Sequence, residues 1–232
     1  MLFRSESSGA TVRTVAILGG TGNLGRGMAV RLAKAGHRVV IGSRDADRAA
    51  ASATEVARLT GSEAVTGADN GDAADGADVV LVAVPFANQA KTLGSVKDRL
   101  REGQIVLDAC VPLGPAIGGR PTQLVGVWHG SAAQQAAALV PDGVAVVSGL
   151  HTLSADDLAD PDLPLSQDTL ICGDRKADKA AVTELLSSIE GLRVVDAGRL
   201  EMSRMVEGLT PILIGINIRN KVHSGFRITG LD

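Results

Sequence analysis

The chain contains no tyrosine, and its aromatic residues amount to one tryptophan and three phenylalanines among 232 positions. No phenol is therefore available as a proton donor. Cysteine is almost as scarce. Cys110 and Cys172 stand far apart with no C-x-x-C spacing, which excludes a thiol-based metal or redox motif and fits a reducing compartment. Each reads most simply as a small buried hydrophobe. Positive charge is not in surplus: 23 Lys and Arg against 26 Asp and Glu leave a net charge of −3, with no basic block to meet nucleic acid. No apolar run approaches the roughly 20 residues that cross a bilayer. The longest candidates, Val79–Phe86 and Ile212–Ile218, are far too short. Residues 1–12 are polar, lack the apolar core of a secretory signal and read as a flexible arm. These absences predict a cytoplasmic protein with no nucleic-acid, membrane or metal partner.

An apolar fraction of 45% supports a substantial core. Apolar, β-branched runs at Val15–Leu18, Arg38–Ile41, Asp78–Val84, Gln104–Ala109, Val144–Ser148, Thr169–Cys172 and Arg193–Asp196 read as strands. Between them, Asn23–Ala35, Ala46–Leu59, Ala87–Arg101, Ser131–Val140 and Lys176–Glu190 read as helices. Arg199–Lys221 closes the chain as one long helix that Gly208, Pro211 and Gly215 are able to bend. Gly67–Gly76 reads as turn-rich with a short helix near Asp72, while 111–130 and 150–166 read as irregular. Strands alternating with helices predict an α/β fold built on a doubly wound parallel sheet. The expected division is an arm over 1–12, a Rossmann-type dinucleotide-binding domain over 13–160, and a small C-terminal α/β domain over 161–232.

The chemistry-bearing motif is VAILGGTGNLGRG, residues 15–27, in which Gly20, Gly22 and Gly25 fit G-x-G-x-x-G between a strand and a helix. That is the turn at which a dinucleotide pyrophosphate meets a helix N-terminus. Gly20 is expected to make the tight turn, Gly22 to let the backbone approach the phosphates and Gly25 to let the helix pack close. After the second strand, where a free ribose 2′-hydroxyl usually meets Asp or Glu, stand Ser43 and Arg44. A hydroxyl and a guanidinium suit a 2′-phosphate and so NADP(H), with Arg48 one helical turn on and Thr21 adding a hydroxyl. The C-terminal ends of later strands nominate Val84, Pro85, Phe86 and Asn88, and then Val111 and Pro112. Of the four histidines, His37, His129, His151 and His223, only His151 directly follows a predicted strand. So few proton donors fit hydride transfer between two redox cofactors, which needs positioning more than acid–base catalysis.

Gly19, Gly22 and Gly25 also satisfy G-x-x-G-x-x-G, which is similar to the extended short-chain dehydrogenases, but their Tyr-x-x-x-Lys pair cannot exist here. The wider pattern resembles the coenzyme F420-dependent NADP reductases. The blocks that carry it are GGTGNLGRG with GHRVVIGSR, GSAAQ at 130–134, VVSGLHTLSA at 146–155, ICGD at 171–174, GLRVVDAG at 191–198, SRMVEGLTPILIGIN at 203–217 and GFRITGL at 225–231. The resemblance implies hydride transfer between NADP(H) and an 8-hydroxy-5-deazaflavin. It implies that Thr21, Gly22, Asn23 and Leu24 hold the pyrophosphate and that Ser43, Arg44 and Arg48 hold the 2′-phosphate. Val84, Asn88, Val111 and Ala155 would line the path of the nicotinamide half. His151 and Leu153 would wall the hydride-transfer site, and the tail near Ser224 would help enclose the deazaflavin. Two stretches depart from the pattern: Phe86, where tryptophan is common, and Pro115–His129.

Two other readings remain open at this level. One is an NADPH-dependent reductase of a small substrate, of the β-hydroxyacid or imine type, or of a flavin; the β-hydroxyacid and imine enzymes usually carry a larger helical C-terminal domain than this chain has room for. The other is an NADP(H)-sensing protein without turnover. The apolar face of Leu209–Ile218 suits packing on a second subunit, as in a homodimer, or on its own sheet.

Overall fold

The computed structural model describes residues 11–231, so nearly all of the expected arm lies outside the described residues. Among the described residues eight strands run β1 (Thr14–Leu18), β2 (Arg38–Ser43), β3 (Val65–Asp69), β4 (Val79–Val82), β5 (Ile105–Asp108), β6 (Ala145–Ser148), β7 (Gln167–Gly173) and β8 (Leu192–Asp196). They form one sheet in the order β3-β2-β1-β4-β5-β6-β7-β8. The described residues also form nine helices: α1 (Asn23–Lys34), α2 (Ala46–Thr60), α3 (Asn70–Ala74), α4 (Phe86–Val96), α5 (Ala132–Leu139), α6 (Ala155–Ala159), α7 (Lys176–Ser187), α8 (Ser203–Glu207) and α9 (Leu209–Asn220).

Strands β4, β5 and β6 are buried along their whole length, as expected of strands covered on both faces. Alternate residues divide between two cores. Val15, Ile17, Leu81 and Leu107 join α1, α2 and α7 on one face, while Ala16, Leu18, Val80 and Val106 join α4 and α5 on the other. The pairing is parallel from β3 to β6, with Val15 opposite Val39 and Val79.

Four details depart from the sequence-based expectations. The sheet is not parallel throughout: β6 and β7 pair antiparallel, through Val147–Gly173 and Ser148–Cys172. Within the turn-rich stretch, β3 forms an edge strand whose weak apolar signal follows from its half-exposed position. Its Gly67 lies so close under α2 that a Cβ would stand 2.3 Å from the Ala49 carbonyl carbon. Helix α4 stops at Val96 and gives way to a 3-10 turn over Lys97–Arg99. The expected final helix is a 3-10 turn at Leu200–Met202, then α8 and α9, joined at Gly208. Among the described residues, no helix is long and apolar enough to cross a membrane.

The irregular stretch after β6 is held down by one buried cation. Arg31 on α1 donates from Nε to the Leu158 carbonyl at 3.1 Å and from Nη2 to the Asp157 carbonyl at 2.5 Å, satisfying acceptors at the end of α6. Beside it, a Cβ on Gly27 would come 2.6 Å from the Leu158 Cβ, so α6 lies directly on α1. Replacing Arg31 by Met keeps the stem but strands these carbonyls. It should lower stability by about 1–3 kcal/mol, and an unchanged denaturant midpoint would contradict this role.

Candidate functional site

The C-terminal ends of β1, β2 and β4 open onto a cavity of about 550 Å³. The turn after β1 supplies Thr21 and Gly22, the β2–α2 junction supplies Ser43, Arg44 and Arg48, and the start of α4 supplies Val84, Pro85 and Asn88. The left-handed residue of the turn is Gly19, with φ of +83°, rather than Gly20. Gly20 is instead demanded by packing, since its Cβ would stand 2.9 Å from both the Ile17 carbonyl oxygen and the Ile41 side chain. Gly25 faces back onto the turn, where a Cβ would meet the Gly19 carbonyl oxygen at 2.6 Å.

Helix α1 starts after Gly22 with no side-chain cap and no acidic residue in its first turn. Its first N–H groups and the positive end of its dipole are thus left for an anion. Ser43 is buried, and its Oγ accepts from the Asp45 N–H at 3.2 Å. Asp45 is the cavity's one carboxylate. Its Oδ1 is engaged as the α2 cap, accepting from the Asp47 and Arg48 N–H groups at 3.0 and 3.1 Å. Arg44 and Arg48 are exposed and make no ion pair among the described residues. Uncapped helix, free guanidiniums and close-packed glycines together suit a phosphorylated dinucleotide.

Other nominated residues stand elsewhere. Asn23 is exposed at the first position of α1, and Leu24 packs its side chain against the main core. Val111 is half-buried beyond β5, and Ala155 opens α6. Leu153 packs on the core, and Ser224 donates to Asn217 Oδ1 at 2.5 Å, which ties the tail to α9. His151 is buried with neither ring nitrogen hydrogen-bonded, and burial alone pushes its pKa down to about 4. Its carbonyl accepts from Thr210 Oγ1 at 2.7 Å, which links the loop after β6 to α9.

Sequence reasoning missed Asn70, Lys91, Thr92 and Ser95, all of which line the cavity. The last three share a face of α4 with Asn88 at helical spacing, a polar pattern that was present to be found. Asn70 carried no local signal, because it follows the unrecognised β3.

Comparison with known proteins bears on the same residues. Positions 14–112 match the family described as NADP oxidoreductase, coenzyme F420-dependent. An F420-dependent NADP reductase from Methanothermobacter thermautotrophicus is 40% identical over 224 residues, 95% of this chain and 96% of that one. The chain belongs to this family. The F420-dependent NADP reductase of Methanocaldococcus jannaschii is 40% identical as well, over 94% of this chain and 99% of its own. A solved structure from Arthrobacter, whose assignment as an F420-dependent NADP reductase is itself provisional, superposes with a TM-score of 0.79 at 31% identity over 94% of this chain and 99% of that one.

Beneath the ligand edge, this member of the F420-dependent NADP reductases keeps two buried carboxyls. Asp108, at the end of β5, accepts from Gln89 Nε2 at 2.9 Å through Oδ1. Gln89 in turn donates to the Ala132 carbonyl at 3.0 Å and accepts from Gln135 Nε2 at 2.9 Å. Glu207 accepts from the Ala132 and Ala133 N–H groups at 3.0 and 3.2 Å, capping α5 from α8. Burial pushes both carboxyls up to about 7, against the hydrogen bonds that favour their charged forms. The native state therefore holds the Asp108 proton where the unfolded chain has lost it. That contribution is complete below pH 3.8 and is lost as pH rises through about 7. Between about pH 5 and pH 8 the parent should lose on the order of 2–3 kcal/mol more stability than Asp108→Asn. Parallel stability–pH curves for the two proteins would contradict the assignment.

Proposed function

We propose that the protein transfers a hydride between NADP(H) and coenzyme F420, an 8-hydroxy-5-deazaflavin. The observation that carries this reading is the pairing of Ser43, Arg44 and Arg48 with the uncapped N-terminus of α1, in a chain about 40% identical end to end to F420-dependent NADP reductases. In this reading the backbone of Thr21, Gly22, Asn23 and Leu24, with Gly20 and Gly25 beneath, holds the pyrophosphate. Ser43, Arg44 and Arg48 hold the 2′-phosphate. Val84, Pro85, Asn88, Val111 and Ala155 line the nicotinamide half, and Ser224 lies beside the deazaflavin. When bound, the nicotinamide C4 gives a hydride to the deazaflavin C5 or takes one from it. The protein's share is positioning and exclusion of water. His151 and Leu153 wall that site, and an imidazole with a pKa of about 4 acts there as a neutral surface rather than a proton donor. Residues 13–160 form the nucleotide-binding part and 161–232 the smaller second part. Two buried free thiols, Cys110 and Cys172, support a cytoplasmic setting.

The protein acts as a homodimer in this reading. Helix α9 reads LTPILIGINIRN, yet only Pro211 and Gly215 are buried in the single chain. Ile212 and Ile218 are 56% and 62% exposed, and Met205 on α8 stands open beside them in sequence. Large apolar side chains exposed together on one helix normally lie in an interface. A second copy covers this face.

Mixing the protein with NADPH and oxidised deazaflavin should bleach the deazaflavin absorbance; tight NADPH binding without bleaching would overturn the electron partner. Arg44→Ala should weaken NADPH about 10- to 100-fold and NADH little, whereas equal weakening of both nucleotides would remove the clamp. Sedimentation should give a dimer for the parent and a monomer for Ile212→Glu combined with Ile218→Glu; a monomeric parent would sink the dimer.

A further inference from the structure

Helix α4 carries two faces with different tasks. Gln89, Leu93 and Val96 are buried against the sheet and α5. Asn88, Lys91, Thr92 and Ser95 follow at i, i+3, i+4 and i+7, so they share the other face, and all four line the cavity that also contains Arg44 and Arg48. Lys91 is exposed and has no ion-pair partner among the described residues. The cavity's one carboxylate, Asp45, is occupied in capping α2. Three cations thus face a space lined by a single carboxylate, one oxygen of which caps α2.

A polar residue from a further element joins the lining. Asn70, at the first position of α3, lines the same cavity, with its Oδ1 turned inward toward Gly42 of β2. Sheet order explains the convergence. Asn70 follows β3 and Arg44 follows β2, on one side of β1, while α4 follows β4 on the other.

We propose that Lys91 is a third cation of the 2′-phosphate site, acting from α4 across the cavity from Arg44 and Arg48. This rests on the NADP(H) reading above. A phosphate monoester carries a charge of about −1.5 to −2 and three terminal oxygens. Two guanidiniums fork onto oxygens in fixed planes, and an ammonium on a flexible stem adds a point charge from another direction. Discrimination between NADP(H) and NAD(H) is then shared between the β2–α2 junction and a helix nearly fifty residues further along the chain.

The test is calorimetric binding of 2′,5′-ADP and of 5′-AMP to the full chain. The parent should prefer 2′,5′-ADP. Lys91→Met, which keeps the stem on an exposed helical position, should weaken 2′,5′-ADP about tenfold and flatten the salt dependence of its binding, while 5′-AMP changes less than twofold. Lys91→Arg should restore most of the loss. If Lys91→Met weakens both nucleotides equally, or neither, while Arg44→Ala still abolishes the preference, the Lys91 assignment is wrong and the NADP(H) reading stands. If the parent shows no preference for 2′,5′-ADP, the NADP(H) reading falls and this inference with it.

Discussion

The N-terminus of α1 lies against the turn after β1 with no space for a side chain between them. A Cβ on Gly25 would overlap the Gly19 carbonyl, and one on Gly19 would stand 2.7 Å from the Ala83 carbonyl oxygen, so three backbone segments meet at that point. β1 lies between β2 and β4, and this contact therefore sets where Ser43 ends its strand and where Pro85 opens α4. The cavity follows from that geometry. Its walls are loops leaving the same edge of a parallel sheet, and its floor is the uncapped end of α1.

The far side of the molecule is assembled on a different principle. β7 turns against the direction of the sheet, and the segment between β6 and β7 has little regular structure to hold it. Long-range polar contacts take over. Arg31 pins α6 to α1, and Thr210 pins α9 to the carbonyl of His151. Asp168, buried on β7, accepts a two-pronged contact from Arg193 at 2.8 Å on each arm and a further bond from the Ile228 N–H at 2.6 Å, which fastens the C-terminal tail. Those charge-assisted bonds hold the Asp168 carboxyl below its ordinary range. The segments proposed to meet the second cofactor are thus positioned by side chains from distant elements.

Charge is sorted by depth. The cavity mouth collects uncompensated cations, suited to a ligand bearing several phosphates. Asp108 and Glu207 are buried without a cation partner among the described residues, and burial shifts both toward their neutral forms. His151 is driven the same way from the opposite sign. His151 is therefore neutral at pH 7, while the two carboxyls are each about half protonated there.

Much of this was readable along the chain, and the reasons are local. The strands β1, β4 and β5 are continuous apolar runs, helices α1 and α2 show their period, and Ser43 and Arg44 stand at a fixed step after the glycine turn. Each depends on neighbours within a few positions. Edge strand β3 was hidden because half its surface faces solvent and Gly67 interrupts it. The missed half of the cavity was hidden for another reason. Asn70 and Lys91 join Arg44 only because the strand order β3-β2-β1-β4 folds 47 positions of sequence into one opening. The antiparallel joint at β7, the isolated imidazole of His151 and the uncovered face of α9 are likewise products of packing between remote segments. Residue pattern set which elements form and which turn receives a phosphate; the burial and adjacency that give single side chains their charge state and their reach came from the assembled sheet.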